Sequence, residues 1–174
     1  DLDGGTRRDI KTGVGFFDHM LQQLAFHGQM DLGIEAEGDL HFDDHHTVED
    51  VGIVLGQAFR QALDGDDAIV RYADHHTAMD DALVLTAVDL GGRSYLVWDV
   101  PFEREAIGAL ATENVREFFR AFTAHAGITL HVRKIAGIND HHVVEALFKG
   151  VGRAIHTATR RADRRVATTK GKRD

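Results

Sequence analysis

The sequence contains no cysteine, and Pro101 is its only proline. The absence of cysteine excludes disulfide bonds, zinc–thiolate sites, iron–sulfur clusters and a cysteine nucleophile. No apolar run approaches the ~18 residues of a membrane-spanning helix, and the first residues lack the charged and then apolar pattern of a signal peptide. We therefore expect a cytoplasmic protein that has no membrane partner.

Acidic residues outnumber basic residues. The 174 residues include 20 Lys and Arg against 28 Asp and Glu, a net charge of −8, which argues against a nucleic-acid partner. The length is that of one compact domain or two small half-domains. The net charge is +6 over residues 153–174 and −14 over residues 1–152. The basic segment is either a solvated helix end with a loose tail or an anion site suited to phosphate.

Histidine is abundant, and six of the twelve histidines stand in adjacent pairs that each follow an aspartate. The three pairs are His45-His46, His75-His76 and His141-His142. A single histidine is more often a core or surface residue than a ligand, but three such pairs favour metal binding. Nitrogen and carboxylate ligands without thiolate suit Mn, Fe, Co, Ni or Zn. The middle pair fits either an added metal-binding loop or a polar loop.

The first and third histidine pairs belong to a longer internal repeat. Residues 24–27 resemble 122–125, and residues 45–49 resemble 141–145. In both copies the pattern predicts a helix, a strand and then a helix that begins with His-His-x-x-Glu. We therefore expect an α+β fold with an internal duplication, in which two similar halves, about 1–80 and 81–174, form one domain. Mixed sheets would pack on helices around a pseudo-two-fold axis.

Other local patterns predict individual elements. Apolar runs at 82–90 and 94–100, separated by two glycines, indicate a β-hairpin. Thr112 is expected to cap one helix, and Asn139 or Asp140 to cap the last helix. Glycines within the two helices that begin with a histidine pair would allow close helix packing.

The His-His-x-x-Glu pattern at a helix start suggests how metals would be held. Adjacent helical residues point about 100° apart, so one ion does not easily take both histidines. The second histidine of each pair shares a helix face with the glutamate, as His46 with Glu49 and His142 with Glu145. The first histidine would then reach the ion of the other half. Lys149 would lie beside the second face, as an anion ligand or as an exposed lysine. The alternative is that these residues form only helix caps and surface ion pairs.

Several stretches together resemble the imidazoleglycerol-phosphate dehydratase family of histidine biosynthesis. The longest are TGVGFFDHML at 12–21 and DDHHTVED at 43–50. The others, in the family's order, are MDDAL at 79–83, VDLGGR at 88–93, TLHV at 129–132, NDHH at 139–142 and TTKG at 168–171. The resemblance covers nearly the whole chain.

The resemblance implies two related α+β halves and two Mn²⁺ ions per active site. One ion would be bound by His19, His46, Glu49 and His141. The other would be bound by His45, His142, Glu145 and Glu117, although many family members have histidine at the position of Glu117. The positions that match substrate phosphate ligands are Arg71, Arg93, Lys149, Thr168, Thr169 and Lys170.

The resemblance also implies a reaction and an assembly. The substrate, a phosphorylated imidazole, would lose water to give imidazole-acetol phosphate through an imidazolate bound to both manganese ions. Glu49, Glu145, His45 and His141 are the candidate catalytic residues. The expected assembly is a homo-oligomer of 24 subunits with sites between subunits.

Two other functions stay open at this point. Asp-His-His sequences also occur in a family of metal-dependent phosphoesterases, which would release inorganic phosphate. The dehydratase pattern also includes a strand, bearing a substrate-contacting glutamate, before the position of Asp1, so either this segment precedes the residues of this sequence or turnover is impaired. The tail ends in charged residues, where family members usually have small apolar ones. These departures allow an inactive, metal-stabilised shell protein.

Overall fold

The computed structural model describes residues 1–2, 4–63 and 68–162. Within these ranges the chain forms four helices: α1 (Gly15–His27), α2 (His45–Leu63), α3 (Thr112–Ala126) and α4 (Asp140–Thr159). It also forms eight strands: β1 (Arg8–Lys11), β2 (Leu32–Glu35), β3 (Tyr72–Met79), β4 (Ala82–Asp89), β5 (Tyr95–Asp99), β6 (Ala106–Ile107), β7 (Leu110–Ala111) and β8 (Thr129–Ala136). The predicted α+β class is confirmed. In the described part of the chain, no helix has the length and apolar character to cross a membrane.

The strands form two small pairs and one larger sheet. β1 pairs with β2 in parallel, and β6 pairs with β7 in a short antiparallel hairpin. The four-stranded sheet has the order β3-β4-β8-β5, in which β8 is antiparallel to β4 and parallel to β5. The predicted hairpin around Gly91 and Gly92 is therefore wrong. β8, with its buried Leu130 and Val132, occupies the centre of the sheet and separates β4 from β5.

The arrangement of elements repeats as the sequence does. In the first half, β1-α1-β2 is a parallel strand–helix–strand unit followed by α2, and β5-α3-β8 followed by α4 is its counterpart. α1 packs on α4, and α2 packs on α3. Exchanging the halves converts one helix contact into the other, as a pseudo-two-fold axis requires. The predicted boundary between the halves, near residue 80, falls in the turn between β3 and β4. β3 pairs with β4, so the last strand of the first half belongs to the four-stranded sheet.

Glycines allow the two helix pairs to approach closely, as expected. A Cβ atom on Gly152 of α4 would lie 2.5 Å from the carbonyl oxygen of Leu24 in α1. A Cβ atom on Gly56 of α2 would lie 2.7 Å from the carbonyl oxygen of Phe122 in α3. Gly152 and Gly56 are equivalent positions of the repeat, and so are Leu24 and Phe122. The two halves therefore use the same backbone contact.

Two local predictions are corrected by the structure. The middle histidine pair lies in strand β3, not in a loop, and His75 Nε2 is 3.1 Å from the hydroxyl of Thr157 in α4. Thr112 does not cap α3. It is the first residue of that helix, and its hydroxyl donates to the carbonyl oxygen of Arg104 at 2.7 Å. The side chain of Thr112 thus joins α3 to the loop before β6.

Candidate metal and substrate site

The first histidine pair opens helix α2. The side chain of Asp44, just before the helix, is largely buried and accepts a hydrogen bond from the backbone N–H of Ala111 at 2.9 Å. Asp43 accepts from the backbone N–H of His45 at 3.0 Å. These bonds fix the helix start against the end of β7, so the direction of the His45 side chain is set by two parts of the chain.

The two histidines of this pair have different partners. His45 Nε2 lies 3.8 Å from Glu49 Oε2, and its Nδ1 lies 2.9 Å from the amide oxygen of Asn114 in α3. His46 Nδ1 instead lies 2.8 Å from Asp39, and this hydrogen bond raises the pKa of His46. The contact with Glu49 is therefore made by the first histidine, at i,i+4, and not by the second at i,i+3 as the sequence favoured.

Glu117 joins this group through an arginine. Arg120 makes ion pairs with both Glu117 and Glu49, the latter at 2.6 Å. The hydrogen bond to Glu117 raises the pKa of Arg120. Glu117 is the repeat equivalent of His19, and in this chain its charge is balanced by a neighbouring cation. His45, His46, Glu49 and Glu117 are named half-site one.

The second histidine pair opens helix α4, and Asn139 is the cap: its side chain accepts from the backbone N–H of His141 at 3.0 Å. His141 Nε2 lies 3.4 Å from Glu145 Oε2, which repeats the i,i+4 contact of α2. Lys149 Nζ lies 2.7 Å from the other carboxylate oxygen of Glu145. Burial raises the pKa of Glu145, but Lys149, His19 and His141 outweigh this effect and leave the pKa lowered.

His142 has a different carboxylate partner from His141. Its Nδ1 lies 2.6 Å from Asp81, which also accepts from the backbone N–H groups of Ile138 and Asn139 at 2.6 and 3.1 Å. The bond to His142, with the two backbone donors, holds the pKa of Asp81 far below its usual range. His19, His141, His142 and Glu145 are named half-site two.

The residues expected to bind phosphate are only partly described. Arg71 is buried and makes a bidentate pair with Asp89 at 2.7 and 3.2 Å. The Arg93 side chain is exposed, and Lys149 pairs with Glu145 in half-site two. Thr168, Thr169 and Lys170 lie outside the described residues.

The donors of the two half-sites do not converge within one chain. Among the described residues, no group of three or more His, Asp or Glu side chains is arranged to hold a metal ion. Each half-site is bordered by an exposed apolar side chain three residues before its histidine pair, Phe42 at 78% and Ile138 at 80% exposure. These two residues are also repeat equivalents.

Sequence reasoning missed four residues that hold the candidate ligands: Asn114, Arg120, Asp39 and Asp81. Asn114, Asp39 and Asp81 act across elements, and the sequence carried no spacing signal for their contacts. Arg120 reaches Glu49 across elements as well, but its pair with Glu117 is an i,i+3 contact within α3 that the sequence spacing could have indicated. A cavity of about 320 Å³ lies beside half-site one, lined among others by His45, Asn114 and Glu117. Trp98 and Phe102 give this cavity an aromatic wall.

Comparison with known proteins shows related sequences and the same fold. The family model of imidazoleglycerol-phosphate dehydratase matches residues 12–155. The imidazoleglycerol-phosphate dehydratase of Cereibacter sphaeroides is 58% identical over 175 residues, covering 98% of this chain and 89% of that protein. The Paracoccus denitrificans protein of the same name is 60% identical over 158 residues, covering 91% of this chain and 81% of its own.

Two crystal structures agree with this result. Imidazoleglycerol-phosphate dehydratase from Staphylococcus aureus superposes with a TM-score of 0.86 at 40% identity, covering 92% of this chain and 91% of that one. The Pyrococcus furiosus enzyme gives a TM-score of 0.84 at 38% identity, covering 96% and 91%. Fold and sequence thus define a dehydratase, an enzyme that removes water from its substrate. The chain belongs to the imidazoleglycerol-phosphate dehydratase family, which serves histidine biosynthesis.

Proposed function

We propose that this chain dehydrates imidazoleglycerol phosphate to imidazole-acetol phosphate at sites built from half-site one of one copy and half-site two of another. The observation that carries the proposal is the repeated His–Glu contact at the starts of α2 and α4, at 3.8 and 3.4 Å. In the ligand sets expected from the family, the two members of each contact bind different ions, so each helix start would supply donors to both metal positions. The names of the relatives supply the substrate.

The donor chemistry fits manganese. The candidate ligands are imidazole nitrogens and carboxylate oxygens, and the chain has no thiolate that would favour softer ions. The ligand sets expected from the family are His19, His46, Glu49 and His141 for one ion and His45, His142, Glu145 and Glu117 for the other. Each set takes two residues from each half-site. Since the half-sites do not converge within the described chain, a second copy would complete each set.

When bound, Mn²⁺ would act as a Lewis acid that stabilises negative charge on the substrate and orients it. Dehydration removes one proton and one hydroxyl group, so a base must take the carbon-bound proton and an acid must protonate the departing oxygen. Glu145, ionised at neutral pH, is the candidate base, and His141 beside it is the candidate acid. Both are also expected metal ligands, so each would move a proton only through an atom that is not bound to the metal. Glu49 and His45 form the equivalent pair. The resulting enol converts to the ketone, and the net change is the loss of one water.

The surface around the half-sites supports an assembly. Phe42 and Ile138 are the most exposed large apolar side chains of the described residues, and each stands beside a histidine pair. The two side chains occupy the same position in both copies of the repeat, and this repetition beside both histidine pairs is the observation that supports an interface. We propose that these side chains pack between copies and align the two half-sites. The 24-subunit shell and the cytoplasmic location stay predictions.

The first experiment is turnover of imidazoleglycerol phosphate by metal-stripped protein, with and without added Mn²⁺. Imidazole-acetol phosphate that forms only with Mn²⁺ supports the proposal. Release of inorganic phosphate would instead identify a phosphoesterase. Tight metal binding and assembly without any product would identify an inactive shell protein.

A mixing experiment tests whether sites are shared between copies. His45→Gln and His141→Gln each remove one ligand from a different half-site, so each variant alone should lose most activity and bound Mn²⁺. In assemblies refolded from an equal mixture, about a quarter of the shared sites would combine two intact half-sites. Activity should therefore return to roughly a quarter of that of the unmodified protein. No recovery, in mixed assemblies that do form, would contradict a shared site.

A further inference from the structure

Asn114 stands at the centre of a contact that the family resemblance does not assign. It lies on α3 and is only 2% exposed, yet its amide oxygen is 2.9 Å from Nδ1 of His45 on α2. Because an amide oxygen can only accept a hydrogen bond, this contact requires the hydrogen on Nδ1 of His45 as the donor. A buried polar side chain is thus aimed at a candidate metal ligand.

The contact determines which ring nitrogen of His45 carries the proton. In a neutral imidazole one nitrogen bears hydrogen and the other offers a lone pair. With the hydrogen on Nδ1 toward Asn114, the lone pair is on Nε2, and Nε2 is the atom that lies 3.8 Å from Glu49. Metal-binding histidines generally donate their other ring N–H to such an acceptor, which fixes the tautomer and the ring orientation.

The other half of the repeat lacks this acceptor. The position equivalent to Asn114 is Phe16. Its ring packs against the ring of His141 with centroids 4.9 Å apart and an angle of 55° between the planes. A phenyl ring restricts the imidazole sterically but has no amide oxygen to accept a hydrogen bond. The two half-sites therefore orient their first histidine by different means.

We propose that Asn114 is a positioning residue that holds His45 as the Nδ1–H tautomer and so prepares Nε2 as a metal ligand. The metal part of this inference rests on the proposed function, whereas the tautomer does not. According to this inference, the two metal positions respond differently to a change at residue 114. Removal of the acceptor should lower the affinity of the position that His45 ligates and leave the affinity of the other position unchanged.

The tautomer is measured first, in metal-free protein at about pH 8.5, where an ordinary histidine is neutral. Solid-state ¹⁵N NMR of protein labelled in the histidine rings separates protonated from unprotonated nitrogens. His45→Gln identifies the signals of His45 by their loss. The unmodified protein should show hydrogen on Nδ1 of His45. Asn114→Leu should move the equilibrium toward hydrogen on Nε2, and Asn114→Asp, which keeps an acceptor oxygen, should retain Nδ1–H.

Phe16→Leu is the matched control. It changes the equivalent position of the repeat and should leave the His45 ring signals unaltered. A His45 ring that carries its hydrogen on Nε2 in the unmodified protein overturns the proposal, as does one that stays Nδ1–H in Asn114→Leu.

Metal titration with Mn²⁺, followed by electron paramagnetic resonance, gives the second measurement. We expect Asn114→Leu to lower the Mn²⁺ affinity of one of the two metal positions per chain by about 10–100-fold. Asn114→Asp should bind both ions nearly as tightly as the unmodified protein does. If Asn114→Leu binds both ions as tightly as the unmodified protein does, the positioning role is overturned. An unmodified protein with the Nδ1–H tautomer but no bound Mn²⁺ overturns the proposed function and still supports the positioning of His45.

Discussion

The close approach of α1 and α4 leads to a prediction that opposes ordinary helix propensity. Alanine in a helix interior is about 1 kcal/mol more favourable than glycine. Gly152→Ala would therefore stabilise the protein if there were room for the added methyl group. In this chain the added methyl group would lie 2.5 Å from the carbonyl oxygen of Leu24 and 2.9 Å from the backbone nitrogen of Gly28. Both obstacles are backbone atoms, so α1 itself would have to move.

The magnitude follows from the balance of these effects. Overpacking of a well-packed core costs about 1–3 kcal/mol, and the gain in propensity offsets part of it. We expect a net loss of about 1–2 kcal/mol in the free energy of unfolding, which lowers the Tm by about 2–8 °C for a chain of this size. Gly56→Ala should behave alike, because its methyl group would lie 2.7 Å from the carbonyl oxygen of Phe122.

Gly15→Ala is the matched control for this prediction. Gly15 begins α1, and nothing lies within 4 Å of a Cβ atom placed on it, so its Tm should stay unchanged or rise slightly. Thermal unfolding is followed by circular dichroism at one fixed protein and metal concentration, because ligands and assembly shift the Tm. If Gly152→Ala and Gly56→Ala raised the Tm as Gly15→Ala does, the packing argument would be refuted.

The remaining predictions concern charge. Asp81→Asn should lower the Tm at neutral pH, because a carboxylate whose folded pKa is depressed stabilises the protein above its unfolded pKa of about 3.9. The difference in Tm should shrink as the pH falls from about 4 through the lowered pKa of the folded state, and a difference that stays constant down to the most acidic pH would contradict the role of the His142 contact. Lys149→Gln and Lys170→Ala should each raise the KM more than they lower the kcat, and an analogue without phosphate should bind both variants as it binds the unmodified protein. An unchanged KM in both would argue against their phosphate role.

The helices and strands could be predicted from the sequence more accurately than which of them lie side by side. Helix starts at the histidine pairs follow from local patterns, and the repeat predicted the exchange-symmetric helix contacts. The hairpin around Gly91 failed because glycine marks a change of chain direction, whereas the neighbour of a strand is decided by distant residues. β8 takes the centre of the sheet because Leu130 and Val132 need burial on the helix-covered side.

The residues that contact the two histidine pairs could not be predicted from the sequence, and the role of the histidines and glutamates as metal ligands stays a prediction. The spacing predicted His46 beside Glu49 and His142 beside Glu145, because i,i+3 residues share a helix face. The structure instead places the first histidine of each pair beside the glutamate, at i,i+4. Which histidine meets the glutamate depended on Asp39 and Asp81, which draw the second histidine of each pair away. Asn114 gave no signal because a single polar residue in an apolar helix pattern does not identify its partner.

The packing of α1 against α4, which lies far along the chain, has a consequence for synthesis of the protein. The apolar face of α1 is covered by α4, and about a hundred residues separate the two in the sequence. At the usual rate of translation, α1 leaves the ribosome roughly 5–20 s before its partner. During that interval α1 lacks its native contact with α4, although Phe17 can already meet Phe118 of α3, whose ring centroid lies 5.2 Å from its own. The packing of α1 is therefore completed only after α4 has been synthesised, and until then part of its apolar face stays exposed on the nascent chain.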